Sequence, residues 1–139
     1  MLISVTLRIT GAKIDPEYIS QVLKVQPSSA RRTGDVRRLN SGKEITQRCG
    51  MWALSTRDSL DSTVLDDHIQ FIAQTLGDAI VAVVGLQDVE RAWLDICVVE
   101  SDIGQNNGAV VVGLAEKSIG LLGKLGVPIE VTFYGSTDD

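Results

Sequence analysis

After its first positions the chain alternates, with Val5, Leu7 and Ile9 on one side and Ser4, Thr6, Arg8 and Thr10 on the other. A period of two is the spacing of a β-strand, and a strand with one apolar and one polar side is half-buried. It therefore calls for a sheet with helices on its apolar face.

The remaining segments supply both parts. Asp15 followed by Pro16 starts a helix, because the carboxylate caps free amides and proline is tolerated at the first helical position. Ile19, Val22 and Leu23 share its apolar face, and Pro27 with the serines after it ends it. Trp52, Leu54 and Thr56 alternate with Met51, Ala53 and Ser55, which reads as a strand. From about Ser62, Leu65, Ile69, Ile72, Ala73 and Leu76 line a second helix, with Gly77 as its left-handed cap. The apolar run Ala79 to Leu86 predicts a central strand. Beyond an Asp88 to Glu90 turn, Ala92, Leu94, Ile96 and Val98 alternate with Arg91, Trp93, Asp95 and Cys97, a half-covered neighbour.

Gly104 to Gly108 reads as a polar turn, and Val110 to Val112 as a short strand. Ile119, Leu122 and Leu125 form a third helical stripe closed by Gly126, with Gly120 and Gly123 suited to close helix packing. After Pro128, Ile129, Val131 and Phe133 face inward and Glu130, Thr132 and Tyr134 outward. The expected fold is one α+β domain over residues 1–139. Its sheet is mostly antiparallel with helices packed on one face, a topology related to the ferredoxin-like one.

Certain functions recede on charge and composition. A formal net charge of −5 disfavours nucleic acid and anionic membranes, which are held by an excess of Lys and Arg. The first ten residues lack a charged segment ahead of an apolar one, and no apolar run is read as membrane-spanning, so the expected location is cytoplasmic. Cys49 and Cys97 lie far apart and are read as reduced thiols. No phosphate-cradling glycine pattern is present. Neither a metal nor a cofactor is expected: Asp58, Asp61, Asp66 and Asp67 lack the ligand order of a calcium loop and read as helix-start charge. The single histidine, His68, reads as a half-buried helix residue.

The order of elements also resembles a family. Asp15, Pro16 and Ile19 in the first helix, Pro27 after it, Thr33 with Gly34, Trp52 entering a strand, and Leu125 with Gly126 before the strand of Tyr134 are its marks. Together they resemble the bacterial domain-of-unknown-function family 4279. The resemblance implies a small α+β protein and brings no assigned reaction.

The most unusual stretch is Arg31 to Arg48, which holds Arg31, Arg32, Arg37, Arg38, Lys43 and Arg48, 6 of the 13 basic residues. Gly34 and Asn40 to Gly42 supply turn chemistry, so the stretch is expected to be an extended or hairpin-like excursion. Arginine forks pair with carboxylates or phosphates and tolerate partial burial at interfaces. The binding candidates are therefore Arg31, Arg32, Arg37, Arg38, Arg48, Trp52 and Trp93. Both tryptophans suit packing as well, and Trp93, on the more polar side of its strand, suits an interface better.

The leading expectation is a non-catalytic protein-binding module, such as a bacterial toxin immunity protein, whose excursion meets an acidic protein partner. A domain holding a small anionic ligand near Trp52, Trp93 and the arginines is the second. An enzyme using His68, Arg31 and Asp66 is the third. A homodimer through a sheet edge or a helix face fits any of them.

Overall fold

The computed structural model describes residues 1–100 and 109–135. The turn expected at Gly104 to Gly108 lies outside them. In chain order the elements are β1 (Leu2–Gly11), α1 (Pro16–Leu23), β2 (Ser29–Arg31), β3 (Val36–Arg38), β4 (Glu44–Thr46) and β5 (Gly50–Ser55). Then follow α2 (Leu65–Leu76), a 3₁₀ segment (Gly77–Gly85), β6 (Arg91–Glu100), α3 (Glu116–Leu125) and β7 (Ile129–Gly135).

The five-stranded sheet runs β2-β5-β1-β6-β7, and β3 with β4 forms a separate two-stranded sheet. β1 lies at the centre, antiparallel to β5 on one side and to β6 on the other. Only the β6–β7 pairing in the large sheet is parallel. β5, α2 and β6 thus make a β-α-β unit split by β1, the feature shared with ferredoxin-like topologies.

The alternation in β1 becomes the two faces of the sheet. Val5, Leu7 and Ile9 are fully buried and join Trp52, Leu54, Leu94, Ile96 and Val98 in one core with residues of all three helices. Asp15 caps α1 by accepting the Glu17 N–H at 3.0 Å, with Pro16 at the first turn. Lys24 ends the helix in the left-handed region, φ 58°. At the far end of β1 the chain needs glycine. A Cβ on Gly11 would lie 2.5 Å from the Asp88 carbonyl oxygen, and one on Gly50, its partner across the ladder, 2.7 Å from Ile14.

Several expectations are corrected. Ala79 to Leu86 is not a strand: Ile80, Val83 and Leu86 are buried while Val81 and Val84 are exposed, the threefold repeat of a 3₁₀ helix. A short, continuous apolar run fits either geometry. Leu65–Gly85 is 21 residues long and apolar enough to match a membrane span by length and composition, contrary to the reading that no run does so. In the fold its buried residues, Leu65, Ile69, Ile72, Leu76, Ile80 and Val83, pack into the core. Val110 to Val112 joins no ladder among the described residues. On α3 the buried residues are Ser118 and Leu125, whereas Ile119 is exposed, and a Cβ on Gly120 or Gly123 would meet open space. Among the described residues those two glycines therefore mediate no close packing.

Candidate functional site

The basic stretch folds as the expected excursion. β2 joins the edge of the large sheet beside β5, and the chain then leaves it at Arg32 to make the β3–β4 hairpin. The base of that hairpin is tied by Gly34 N–H to the Gln47 carbonyl and Gln47 N–H to the Asp35 carbonyl, both 2.8 Å. The tip is tied by Leu39 N–H to Lys43 C=O at 2.8 Å and Gly42 N–H to Leu39 C=O at 2.9 Å. Gly34 and Gly42 have φ of 93° and 85°, which glycine adopts at little cost. Every residue of β3 and β4 is exposed, including the apolar Val36 and Ile45.

The six basic residues divide by partner. Arg32 is held at the base, 2.7 Å from Glu17 and 3.5 Å from Asp15, while its backbone N–H donates to Asp35 at 2.8 Å. Arg38 pairs with Glu44 across the hairpin at 3.4 Å. Among the described residues, Arg31, Arg37, Lys43 and Arg48 have no carboxylate at ion-pair distance. The arm thus carries six basic and two acidic side chains, against seven and sixteen in the rest of the chain, so a positive arm stands on a negative body.

Two hollows adjoin the arm. A cleft of about 820 Å³ runs between α1 and β2, with Ser20, Lys24, Arg31, Arg32 and Asp35 in its walls. The second, about 910 Å³, lies on the sheet face opposite the helices, where Arg8, Arg31, Arg57, Asp58, Asp61 and Asp95 are found. Arg8 Nε donates to Asp95 at 3.0 Å there, and the Thr6 hydroxyl donates to Ser55 at 2.9 Å.

The two tryptophans fall on opposite faces. Trp52 is fully buried on the helix side, and its indole N–H donates to the Ser20 hydroxyl at 3.0 Å. It is a core residue behind the cleft, not a surface for a ligand. Its place in an alternating strand beside the arginines did not separate the two faces. Trp93, half-buried, stands on the open face beside Arg8, with the Arg91 guanidinium 4.0 Å from its ring centroid. Arg91 also pairs with Glu130 on β7. Of the binding candidates, Arg31 and Trp93 share the open face, whereas Arg37, Arg38 and Arg48 belong to the arm and its exit.

The imagined acid-base set does not assemble. His68 is fully buried rather than half-buried: Nε2 lies 2.7 Å from the Ser62 carbonyl and Nδ1 2.7 Å from the Thr56 hydroxyl. A carbonyl only accepts, so Nε2 carries the proton and Nδ1 accepts from Thr56. The Thr56 oxygen in turn accepts the Val5 N–H at 3.0 Å. This chain of bonds ties β1, the end of β5 and α2 together. Asp66 accepts from the Ser118 hydroxyl at 2.5 Å and the Ala115 N–H at 2.9 Å, so α2 caps the start of α3. Those two bonds hold its carboxyl below the ordinary aspartate value. Among the described residues, no group of three His, Cys, Asp or Glu side chains is placed to hold a metal ion.

Sequence reading missed Arg57 on the open face, Lys24 in the cleft, and the exposed Val36 and Ile45. Arg57 stands just past β5, after Thr56, and Val36 and Ile45 are single apolar residues between polar ones in three-residue strands too short to show a period. No curated protein and no solved structure matches the chain. The family described as Domain of unknown function (DUF4279) matches residues 1–136, nearly the whole chain, and the chain belongs to that family.

Proposed function

We propose that this protein is a non-catalytic protein-binding module whose docking element is the β3–β4 arm, meeting an acidic surface on its partner. The observation that carries the reading is the arm's independence from the core. A two-stranded hairpin is at best marginally stable by itself, yet this one leaves Val36 and Ile45 exposed. Ile45 stands directly across the ladder from the unpaired Arg37, while Val36, opposite Thr46, lies on the other face with the Arg38–Glu44 pair. An exposed aliphatic beside an unpaired arginine fits an interface, where arginine is enriched. The opposite charge of arm and body would orient the approach of an acidic partner. An immunity protein that blocks a bacterial toxin is the sharper form of this proposal.

The test is affinity capture from native extract at low and high salt, comparing the intact protein with Arg37→Glu, Lys43→Glu and Arg48→Glu combined. A stoichiometric partner that is lost in the reversal variant and kept in Asp78→Ala supports the reading. Equal recovery with both variants, or no partner at either salt, sinks it. For the immunity form, the reversal variant should also fail to rescue cells that express the captured partner.

A second reading rests on the cleft between α1 and β2. Lys24 and Arg31 suit it to a small anionic ligand. A saturating anion at about 100 times its dissociation constant would add roughly 2.7 kcal/mol of stability. Such a thermal shift, abolished by Arg31→Ala, would favour this reading over the first.

A further inference from the structure

The two edges of the large sheet are built differently. β2 is an edge of three residues, after which the chain turns away into the arm. β7 is an edge of seven residues, and among the described residues nothing pairs with its outer side. Native sheets usually guard such an edge with lysine, proline, a bulge or a covering segment. The strand Ile129–Gly135 contains neither lysine nor proline, and its one charge, Glu130, is paired with Arg91.

Its side chains carry the same signal. Ile129, Val131 and Phe133 lie on the helix side, in register with the buried Leu94, Ile96 and Val98. Even so they remain 42%, 49% and 58% exposed. The inward alternation is right, and among the described residues nothing completes the cover. The Leu94 N–H donates to the Pro128 carbonyl at 2.8 Å, which fixes the parity of the parallel ladder. Glu130 and Thr132 therefore address β6, while Ile129, Val131 and Phe133 direct their backbone N–H and C=O groups outward.

We infer that β7 is a homodimer edge, pairing antiparallel with β7 of a second copy about a two-fold axis at Val131. A second copy fits because the segment Ile129-Glu130-Val131-Thr132-Phe133 has a polarity pattern symmetric about its centre. In that register Ile129 meets the partner's Phe133, Val131 meets the partner's Val131, and Glu130 meets the partner's Thr132. All outward backbone groups of these residues find mates, and no like charges oppose. Centring on Glu130 would set two carboxylates face to face, and centring on Thr132 would place Ile129 against Gly135. An isologous contact of this kind closes as a dimer and does not propagate. One strand from each copy is a small junction, so the expected dimer is a weak one that dissociates on dilution.

The test uses the full chain in sedimentation equilibrium from micromolar to sub-millimolar concentration. The wild type is expected to shift from monomer to dimer mass, and Val131→Lys to stay monomeric with an unchanged circular dichroism spectrum. Carrying Cys49→Ser and Cys97→Ser, Val131→Cys should form an intermolecular disulfide on oxidation. Facing residues of a hydrogen-bonded antiparallel pair lie about 5.5 Å apart at Cα, inside the disulfide range of roughly 4.4–6.8 Å. Thr132→Cys should cross-link far less. Monomer mass for the wild type throughout overturns the dimer, and preferential linking through Thr132→Cys overturns the register. A monomer whose captured partner is lost in Val131→Lys assigns the edge to a foreign strand and likewise overturns the second copy.

Discussion

The helix-covered side of the sheet and the β3–β4 arm use apolar residues in opposite ways. On the covered side Val5, Leu7, Ile9, Trp52 and Ile96 are essentially removed from water, and the polar atoms among them are all paired. In the arm Val36 and Ile45 stand 61% and 40% exposed, and shape is kept by backbone bonds at the two turns. Folding free energy is therefore concentrated in the first region, since it scales with apolar area withdrawn from water. The second region is free to vary in side chain without cost to the fold, which suits a recognition element.

The strongest way to break this contrast is Trp52→Ala. It removes the largest buried side chain and leaves the Ser20 hydroxyl without its indole donor. The expected loss is about 3–5 kcal/mol, read as a lowered urea midpoint. A loss within experimental scatter would mean that the core is not where the stability lies.

Thr56→Val probes the same side with a nearly isosteric change. It strands two buried groups, the Val5 N–H and His68 Nδ1, and should cost about 1–3 kcal/mol. Equal stability would show that the histidine chain contributes nothing to joining β1 and α2. Asp66 gives a further effect, visible only through pH. Its carboxyl is held below the ordinary value of 3.8 by the Ser118 hydroxyl and then the Ala115 N–H. A depressed folded value means that the stabilisation is complete above 3.8 and is lost as pH falls through the folded value. The advantage of wild type over Asp66→Asn should thus be constant near neutrality and vanish in acid. A gap that is unchanged in acid would rule out the carboxylate as the source.

The covered side was also the more legible in the sequence. Val5, Leu7 and Ile9 announce one buried face because a period of two has one structural meaning when sustained over a strand. The Asp15-Pro16 start of α1 and the left-handed Gly126 end of α3 were readable from capping chemistry alone. Gly77, by contrast, ends α2 at φ 55° and ψ −136°, outside the left-handed helical region, and the chain continues from it as a 3₁₀ segment. Ala79 to Leu86 was not, because a continuous apolar run carries no period until its neighbours decide which residues are covered. Trp52 was misplaced among the surface candidates for a related reason: closeness in sequence to arginines does not reveal which sheet face a side chain takes. Turn residues made the arm itself readable, whereas the pairing of Arg32 with Glu17 and Asp15 depends on α1 lying beside it in space.

The smallest expected effect sharpens the comparison most. Replacing Val36 and Ile45 together by serine would be ruinous in a core strand, where each truncation would forfeit several buried contacts. In the arm both side chains already meet water, and the turns at Gly34 and Gly42 do not depend on them. The double variant should therefore change the unfolding free energy by no more than about 0.5 kcal/mol. The same variant should weaken capture of the partner, because the proposed complex would cover the part of these side chains that the free arm leaves exposed. Loss of stability without loss of capture would reverse the assignment, making the arm a part of the fold and leaving recognition to the open sheet face around Arg31 and Trp93.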